Sequence, residues 1–305
     1  MRILISGSTG FLGTALVESL ERQGHAMARL VRPGTSQKST AGARAQVVQW
    51  DPVADRFDAG GAEGAEALVH LAGASIAGGR WNASRKELLR TSRIDATRHL
   101  IGALAKLQRP PRVIVAASAI GYYGNRGDET LTEASASGND FLAGLCREWE
   151  AETARGAEFG ARVVNLRFGI ILAAHGGALP RMALPFKLGA GGRLGDGRQW
   201  MSWLTLRETI SIIQFALTNS GLTGPVNAVT PNPVRNSEFT GVLAKTLHRP
   251  ALFPAPAFAL RLALGEMAGA LLLISQKVMP SKLADSGYPF LQPGLASALA
   301  EVFGK

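Results

Sequence analysis

Along the first 170 residues, short apolar runs alternate with longer stretches in which apolar positions recur every three or four residues. Ile3-Leu4-Ile5 predicts a strand over Arg2–Ser6, and Phe11, Leu12, Leu16 and Val17 predict a helix over Phe11–Arg22. Ala26–Val31, Gln46–Trp50 and Ala67–Leu71 read as further strands. Lys86–Leu107 carries Leu88, Leu89, Ile94, Leu100, Ile101 and Leu104 near helical spacing, and Gln108-Arg109-Pro110-Pro111 stops that helix. Arg112–Ala117 then reads as a buried strand, Asn139–Glu158 as a helix and Arg162–Leu166 as a strand. Such alternation implies an α/β fold: a doubly wound parallel sheet with helices on both faces and right-handed connections.

Beyond Gly169 the rhythm changes. Gly176-Gly177, Gly189-Ala190-Gly191-Gly192 and Gly195-Asp196-Gly197 surround a short helix. Leu206–Thr218 is helical, Pro225–Val229 is a strand, and Asn236 or Ser237 caps a helix that runs to Leu247. Two helices rich in Ala and Leu follow, punctuated by Pro250, Pro254 and Pro256. The expected division is residues 1–170 as the sheet domain and 171–305 as a smaller, mainly helical domain packed on its substrate side. Sheet and cleft elements are free to interleave across that boundary.

The turn after the first strand carries the chemistry. Gly7-Ser8-Thr9-Gly10-Phe11-Leu12-Gly13 follows the strand directly and opens the helix. Gly7 lets the chain turn sharply, Gly10 lets backbone N–H groups approach a pyrophosphate, and Gly13 lets the helix pack close on the sheet. The helix N-terminus then faces phosphate with free N–H groups and a partial positive charge. The spacing is G-x-x-G-x-x-G, and in this strand–turn–helix context it predicts a dinucleotide-binding Rossmann domain.

Roughly 20 residues beyond that turn, an NAD-binding chain would place an acid against the adenosine ribose. Arg32 stands there, with Lys38 nearby, and a cation suits the 2′-phosphate of NADP, although an exposed basic residue at a strand end is the plainer alternative. Asp51 follows the third strand and could accept from the adenine amino group, or could simply form the turn before Pro52. Leu71-Ala72-Gly73 ends the next strand with small residues, leaving room for the cofactor beyond the carboxyl ends of the strands.

Composition narrows the class. With 46% hydrophobic and 18% charged residues the chain is a packed globular protein, not a disordered one. The single Cys146 excludes an internal disulfide and suits a reducing compartment. The N-terminus reads as a strand and not as a secretory signal, so the expected location is cytoplasmic. Ala255–Ile274 is the most apolar stretch, but Arg261 and Glu266 within it point to a packed amphipathic helix and not a membrane span. The net charge of +10 is dispersed, so neither nucleic acid nor membrane is an expected partner, only some attraction for phosphate-bearing ligands. The five histidines show no metal-ligand spacing, and no metal site is expected. The expected assembly is a monomer or homodimer.

Three segments together, Gly7–Gly13, Leu71–Gly73 and Ser118-Ala-Ile-Gly-Tyr-Tyr-Gly124, resemble the extended short-chain dehydrogenase/reductases of the epimerase/dehydratase type. Gly79-Arg80-Trp81, Asp140–Glu150, Gly176–Leu179, Gln199–Trp203, Asn232–Phe239 and Gly265–Ala268 resemble an atypical branch: the nucleoside-diphosphate-sugar epimerase-like, cell-division-inhibitor-like group with a C-terminal domain of unknown function. That resemblance covers essentially the whole chain. It implies a Rossmann fold and NADP binding, and leaves the reaction open.

Active members of the wider family use a Ser or Thr at a strand end plus Tyr-x-x-x-Lys on the following helix, where the Lys lowers the Tyr pKa. Here Phe141 and Leu145 fall on the Tyr and Lys positions, and Ala119 falls on the Ser/Thr position with Ser118 one residue early. Neither Phe nor Leu can pass a proton. Tyr122 and Tyr123 are the candidate replacement acids, each also readable as a core or turn residue, and Ser118 is a candidate for cofactor contact. Cys146 has Arg147 adjacent in sequence but on another side of the helix, so an inert buried thiol is expected. Arg80, Trp81, Arg167, Trp200 and Trp203 are candidates for substrate contact: Arg offers a fork for phosphate or carboxylate, and Trp a flat apolar face. Two functions stay open at this point. One is an NADP-dependent oxidoreductase or epimerase acting on a small polar substrate, phosphorylated or nucleotide-linked among the options. The other is a catalytically silent NADP(H)-binding regulatory protein.

Overall fold

The computed structural model describes residues 1–34 and 45–304. Its first half alternates as the sequence pattern requires: β1 (Arg2–Ser6), α1 (Phe11–Arg22), β2 (Ala26–Val31), β3 (Gln46–Asp51), β4 (Arg56–Phe57), α2 (Ala59–Ala62), β5 (Ala67–His70), α3 (Ala83–Arg90), α4 (Ala96–Leu104) and β6 (Val113–Ala119). There follow β7 (Thr130–Leu131), α5 (Phe141–Ala154), β8 (Arg162–Phe168), β9 (Ile170–Leu172), α6 (Leu179–Lys187), β10 (Trp200–Met201), β11 (Trp203–Thr205), α7 (Leu206–Thr218) and β12 (Gly224–Ala228). The chain ends in β13 (Val234–Arg235), α8 (Asn236–Leu247), α9 (Ala257–Leu264), β14 (Lys277–Val278), α10 (Ser281–Asp285) and α11 (Leu295–Val302).

The main sheet has the order β12-β8-β6-β5-β1-β2-β3-β4, parallel except for the β3–β4 edge hairpin. Strand alternation explains its two covered faces. Ile3 and Ile5 pack with Leu16, Val17 and Ile212 on one side, whereas Leu4 between them packs with Leu100, Ile101 and Leu104 on the other. All three β1 side chains are fully buried, each worth about 1.5–3 kcal/mol. The strand order reverses at β1, between β2 and β5, which is where such sheets open a ligand crevice beyond their carboxyl ends. The last strand of the sheet, β12, comes from beyond residue 171 and pairs with β8.

Two segments depart from the sequence pattern. The helix expected over Lys86–Leu107 is interrupted by a π-helical turn at Thr91–Asp95, and such turns concentrate at functional sites. The apolar stretch Ala255–Ile274 is not one packed helix. Gly265, at φ +64°, separates α9 from a π-helical turn at Ala268–Leu272, and α9 has no buried residue. Composition suggested a buried helix, but full burial begins only at Met267 and Ala268, after the break at Gly265. Among the described residues no helix is long and apolar enough to cross a membrane.

Candidate active site

The crevice at the switch point is built from the ends of β1 and β5. Gly7 has φ +70°, and a Cβ there would lie 2.8 Å from the Ala72 nitrogen, so only glycine lets the turn press against Leu71-Ala72. A Cβ on Gly13 would lie 2.1 Å from the Gly7 carbonyl oxygen, so the first turn of α1 folds directly onto the loop. Ser8 is buried, Thr9 and Gly10 are exposed, and Phe11 and Leu12 are half-buried. Gly10 occupies the N-cap of α1 and no side chain caps the helix. Its first-turn amides therefore have no intrahelical acceptor and no competing side chain. That is a cradle of the kind a pyrophosphate fills.

On the β2 side, the Arg29 Nε donates to Ser8 Oγ at 3.2 Å, bringing a cation to the glycine turn. Arg32 follows β2 and is exposed. Lys38 lies outside the described residues. Asp51 is the last residue of β3, at the turn into β4. Its Oδ1 accepts from the amides of Val53 and Ala54 at 3.0 and 3.2 Å, and Arg56 stands 3.8 Å from its Oδ2, so it closes the β3–β4 turn.

Beneath the crevice a buried polar chain fixes the end of β5. Ser6 Oγ accepts from the amides of Leu71 and Ala72 at 3.1 and 3.3 Å and lies 2.6 Å from His70 Nδ1. His70 Nε2 lies 2.8 Å from Thr97 Oγ1, which also accepts from Trp149 Nε1 at 3.0 Å. Burial pulls the His70 pKa down to about 4, so the ring is neutral at pH 7 and bridges Ser6 and Thr97. On the π-turn, Arg93 donates to the Ala74 carbonyl at 2.9 Å and lies over the Trp149 ring at 5.1 Å. Gly73, beside it, is exposed. Desolvation lowers the Arg93 pKa, and among the described residues no carboxylate pairs with it. It is a cation held at the rim of the crevice.

A second polar cluster lies behind β6. Glu150 on α5 binds Arg167 on β8 through Nε–Oε1 and NH2–Oε2 contacts of 2.8 Å each, and Ser118 Oγ donates to the same Oε1 at 2.6 Å. The remaining Arg167 NH1 donates to Tyr123 OH at 3.0 Å, and Tyr123 OH donates to Asn227 Oδ1 at 2.6 Å. The Arg167 guanidinium carbon also sits 3.4 Å from the centre of the Tyr122 ring. Desolvation opposes the Arg167 charge, but the Glu150 contacts outweigh it and hold the pKa above its ordinary value. Burial pushes the Tyr123 hydroxyl up to about 12, against the opposing pull of Arg167.

Several expected site residues therefore take other places. Arg167 is buried with all three guanidinium nitrogens engaged, because β8 turns it toward α5 and not toward the crevice. Tyr123 is fully buried and its hydroxyl is spent on Arg167 and Asn227. Ser118 is 3% exposed and gives its proton to Glu150. Trp203 is fully buried on β11, donating to the Asn232 carbonyl at 3.1 Å, so it anchors the core of the second half. Trp200 is half-buried, donates to Asp128 at 3.0 Å, and lines a cavity of about 580 Å³ that includes no residue of the glycine turn.

Arg80 and Trp81 stay near the crevice on the loop after β5. Arg80 is exposed and reaches the Leu262 carbonyl at 3.3 Å, while Trp81 donates to the Ile76 carbonyl and meets Phe141 edge-on at 5.5 Å. Tyr122 is half-buried, and among the described residues its hydroxyl makes no hydrogen bond. The positions of the absent Tyr and Lys belong to an apolar cluster: Phe141 and Leu145 pack with Trp81, Leu89, Ile94 and Leu142. Burial and the neighbouring Glu150 charge push the Cys146 thiol up to about 12, which makes it inert. Among the described residues no group of three or more His, Cys, Asp or Glu could hold a metal.

Reading the sequence did not single out Arg29, Arg93, Glu150 or the His70 bridge. Arg29 had a signal, being the one charge inside the apolar run of β2. The others had none, since the partners that place them, Ala74, Arg167, Thr97 and Ser6, lie 17 to 64 residues away.

The family model for the NAD dependent epimerase/dehydratase family matches residues 3–228, and that for DUF1731, a domain of unknown function, matches 255–302. YfhF of Bacillus subtilis, an epimerase family protein, is 39% identical over 310 residues, covering 99% of this chain and 98% of its own. Epimerase family protein Mb2239 of Mycobacterium bovis is 39% identical over 297 residues, covering 97% of this chain and 96% of its own. The crystal structure of human epimerase family protein SDR39U1 (isoform 2) with NADPH superposes with a TM-score of 0.89 at 31% identity, covering 100% of both chains. The uncapped α1 turn at the switch point and these matches agree: the chain belongs to the NAD dependent epimerase/dehydratase family, a family that binds a nicotinamide cofactor, and carries a DUF1731 domain.

Proposed function

We propose that the chain binds NADP(H) in preference to NAD(H) and uses it in reductase-like or epimerase-like chemistry on a small polar substrate. The observation that carries the cofactor preference is electrostatic. No Asp or Glu occurs between Glu21 and Asp51, while Arg29 lies at the glycine turn and Arg32 follows β2. A 2′-phosphate gains from that field, and a ribose hydroxyl has no carboxylate to meet it. The NADPH in the human SDR39U1 structure supports the same reading.

In this reading the α1 N-terminus and the Gly7–Gly13 backbone hold the pyrophosphate, Arg29 and Arg32 the 2′-phosphate, and Leu71-Ala72-Gly73 the cofactor's path across the sheet end. The bound dihydronicotinamide supplies hydride. Arg93 gives a positive charge at the rim, facing whichever anion of cofactor or substrate lies over Gly73. Tyr122 is the proton donor, because its hydroxyl is uncommitted where that of Tyr123 is spent. Glu150, Arg167 and Ser118 position the strand ends and Tyr122 beside them.

The test is oxidation of bound NADPH in the presence of a panel of small aldehydes and ketones, with Tyr122→Phe alongside. Turnover that disappears in the variant at unchanged NADPH affinity supports the enzyme. The apolar cluster at Phe141 and Leu145 favours the second reading, a cofactor-binding regulatory protein, and tight NADPH binding with no oxidation of any substrate would establish it.

A further inference from the structure

The loop after β5 and the DUF1731 segment enclose a corner of the molecule that the cofactor reading does not use. At one end the loop that follows α6 is tied to the segment that precedes α9: Phe253 N donates to the Gly191 carbonyl at 3.0 Å, Ala255 N to the Arg193 carbonyl at 2.8 Å, and Gly195 N to the Ala255 carbonyl at 2.8 Å. At the other end both helices reach the same loop. Arg181 on α6 donates to the Ala77 carbonyl at 2.9 Å, and Arg80 donates to the Leu262 carbonyl of α9 at 3.3 Å. So α6 runs away from loop 77–80 and α9 runs back toward it.

Leu184 of α6 and Leu188, which caps its C-terminus, stand four residues apart, as do Phe258 and Leu262 of α9, so each pair falls along one stripe. Leu184 and Leu188 are 54% and 74% exposed, and Phe258 and Leu262 are 74% and 78% exposed. No residue of α9 is fully buried: Leu260 and Leu264 are half-buried, whereas Phe258 and Leu262 are exposed. An apolar surface of this kind, held in place by hydrogen bonds at both ends, marks a binding surface.

The charge at the loop end says what binds. Arg80, Arg85 and Arg181 surround residues 75–80, and each donates to backbone carbonyls only: Arg85 to Ser75, Arg181 to Ala77, Arg80 to Leu262. Arg85 Nε is buried without a partner. Among the described residues none of the three pairs with a carboxylate, and the nearby Glu266 is already held by Lys86 at 2.6 Å. A second copy of this chain would bring the same arginines, with Arg261 of α9, against one another. An anion capped by an apolar body meets both features.

We propose that this corner takes an amphiphilic small molecule, an aliphatic chain carrying a phosphate or carboxylate head, with the head at Arg80, Arg85 and Arg181 and the chain along Leu184, Leu188, Phe258 and Leu262. The inference rests on the proposed function in taking this corner as the substrate side of the NADP(H) crevice, and it narrows the small polar substrate to one whose polar head is carried on an aliphatic chain.

The experiment is calorimetric titration of decyl phosphate, decanoate, decanol and inorganic phosphate, all below micelle formation, into the full chain, with NADPH titrated in parallel. The two anionic amphiphiles should bind at least tenfold more tightly than decanol or phosphate, and their ranking identifies the head group. Phe258→Ser/Leu262→Ser should weaken both at least tenfold, and Arg85→Ala/Arg181→Ala should bring them to the level of decanol, with NADPH affinity unchanged. Binding of NADPH without amphiphile binding overturns this inference and leaves the proposed function standing. Failure of NADPH itself overturns that function. If Phe258→Ser/Leu262→Ser changes sedimentation of the protein and not amphiphile affinity, the face is a contact between copies and the inference falls.

Discussion

Glu150 on α5 clasps Arg167 on β8 through two parallel contacts of 2.8 Å, with the Arg167 side chain 3% and the Glu150 side chain 12% exposed. Removing the acid leaves a buried guanidinium without its counter-charge, which typically costs about 3–5 kcal/mol. Glu150→Ala should lose stability on that scale in urea unfolding, and Glu150→Leu/Arg167→Met should recover most of the loss. A single variant within about 0.5 kcal/mol of the parent, the scale of ordinary surface changes, would show that the pair is not a structural clasp.

His70 makes stability depend on pH in a calculable direction. In the unfolded chain the imidazole takes a proton near pH 6.5, but in the folded protein it resists until about pH 4. Between those values the unfolded state binds more protons, so the contribution is complete above pH 6.5 and is lost as the pH falls toward 4. The slope from one such group is at most about 1.4 kcal/mol per pH unit. His70→Asn should remove that component, read as the difference between urea-unfolding free energies of parent and variant at several pH values. Equal slopes would mean that the folded imidazole titrates normally.

Gly13→Ala places a methyl group 2.1 Å from the Gly7 carbonyl oxygen. The clash opens the turn that cradles the pyrophosphate, and overpacking of this kind costs about 1–3 kcal/mol. A lower melting temperature and at least a tenfold loss of NADPH affinity are expected, followed by thermal scanning and calorimetry. Unchanged affinity in a folded variant would remove the loop from the cofactor site.

The adjacent tyrosines should separate stability from activity. Tyr123→Phe deprives Arg167 and Asn227 of a shared partner and should destabilise by about 1–3 kcal/mol. Tyr122→Phe should leave stability nearly unchanged and reduce NADPH oxidation instead. The reverse assignment of effects would move the proton donor to Tyr123.

Periodicity marked α1 and β2 to the residue, because both carry local signals: a glycine turn before one and an apolar run broken only by Arg29 in the other. The crevice was equally visible in Gly7, Gly10 and Gly13, whose constraint is backbone geometry within seven residues. What was hidden depends on side-chain direction across the sheet. Arg167 reads as a free cation until β6 and α5 place Ser118 and Glu150 around it. Trp203 reads as a cleft aromatic until β11 is seen in the core, and Ala255–Ile274 reads as a packed helix although no residue of α9 is fully buried. Apolar composition marks a surface to be covered, not what covers it.

The central claim is NADP(H) binding at the β1 turn with the preference set by the basic end of β2. Calorimetric titration of NADPH and NADH into the parent, Arg32→Ala and Arg29→Ala tests it most directly. The expected result is tighter NADPH binding, reduced about 10- to 100-fold in the variants, the scale of one or two charge-assisted contacts, with NADH affinity little changed. Equal affinity for the two cofactors in the parent, or variants that weaken both alike, would contradict it.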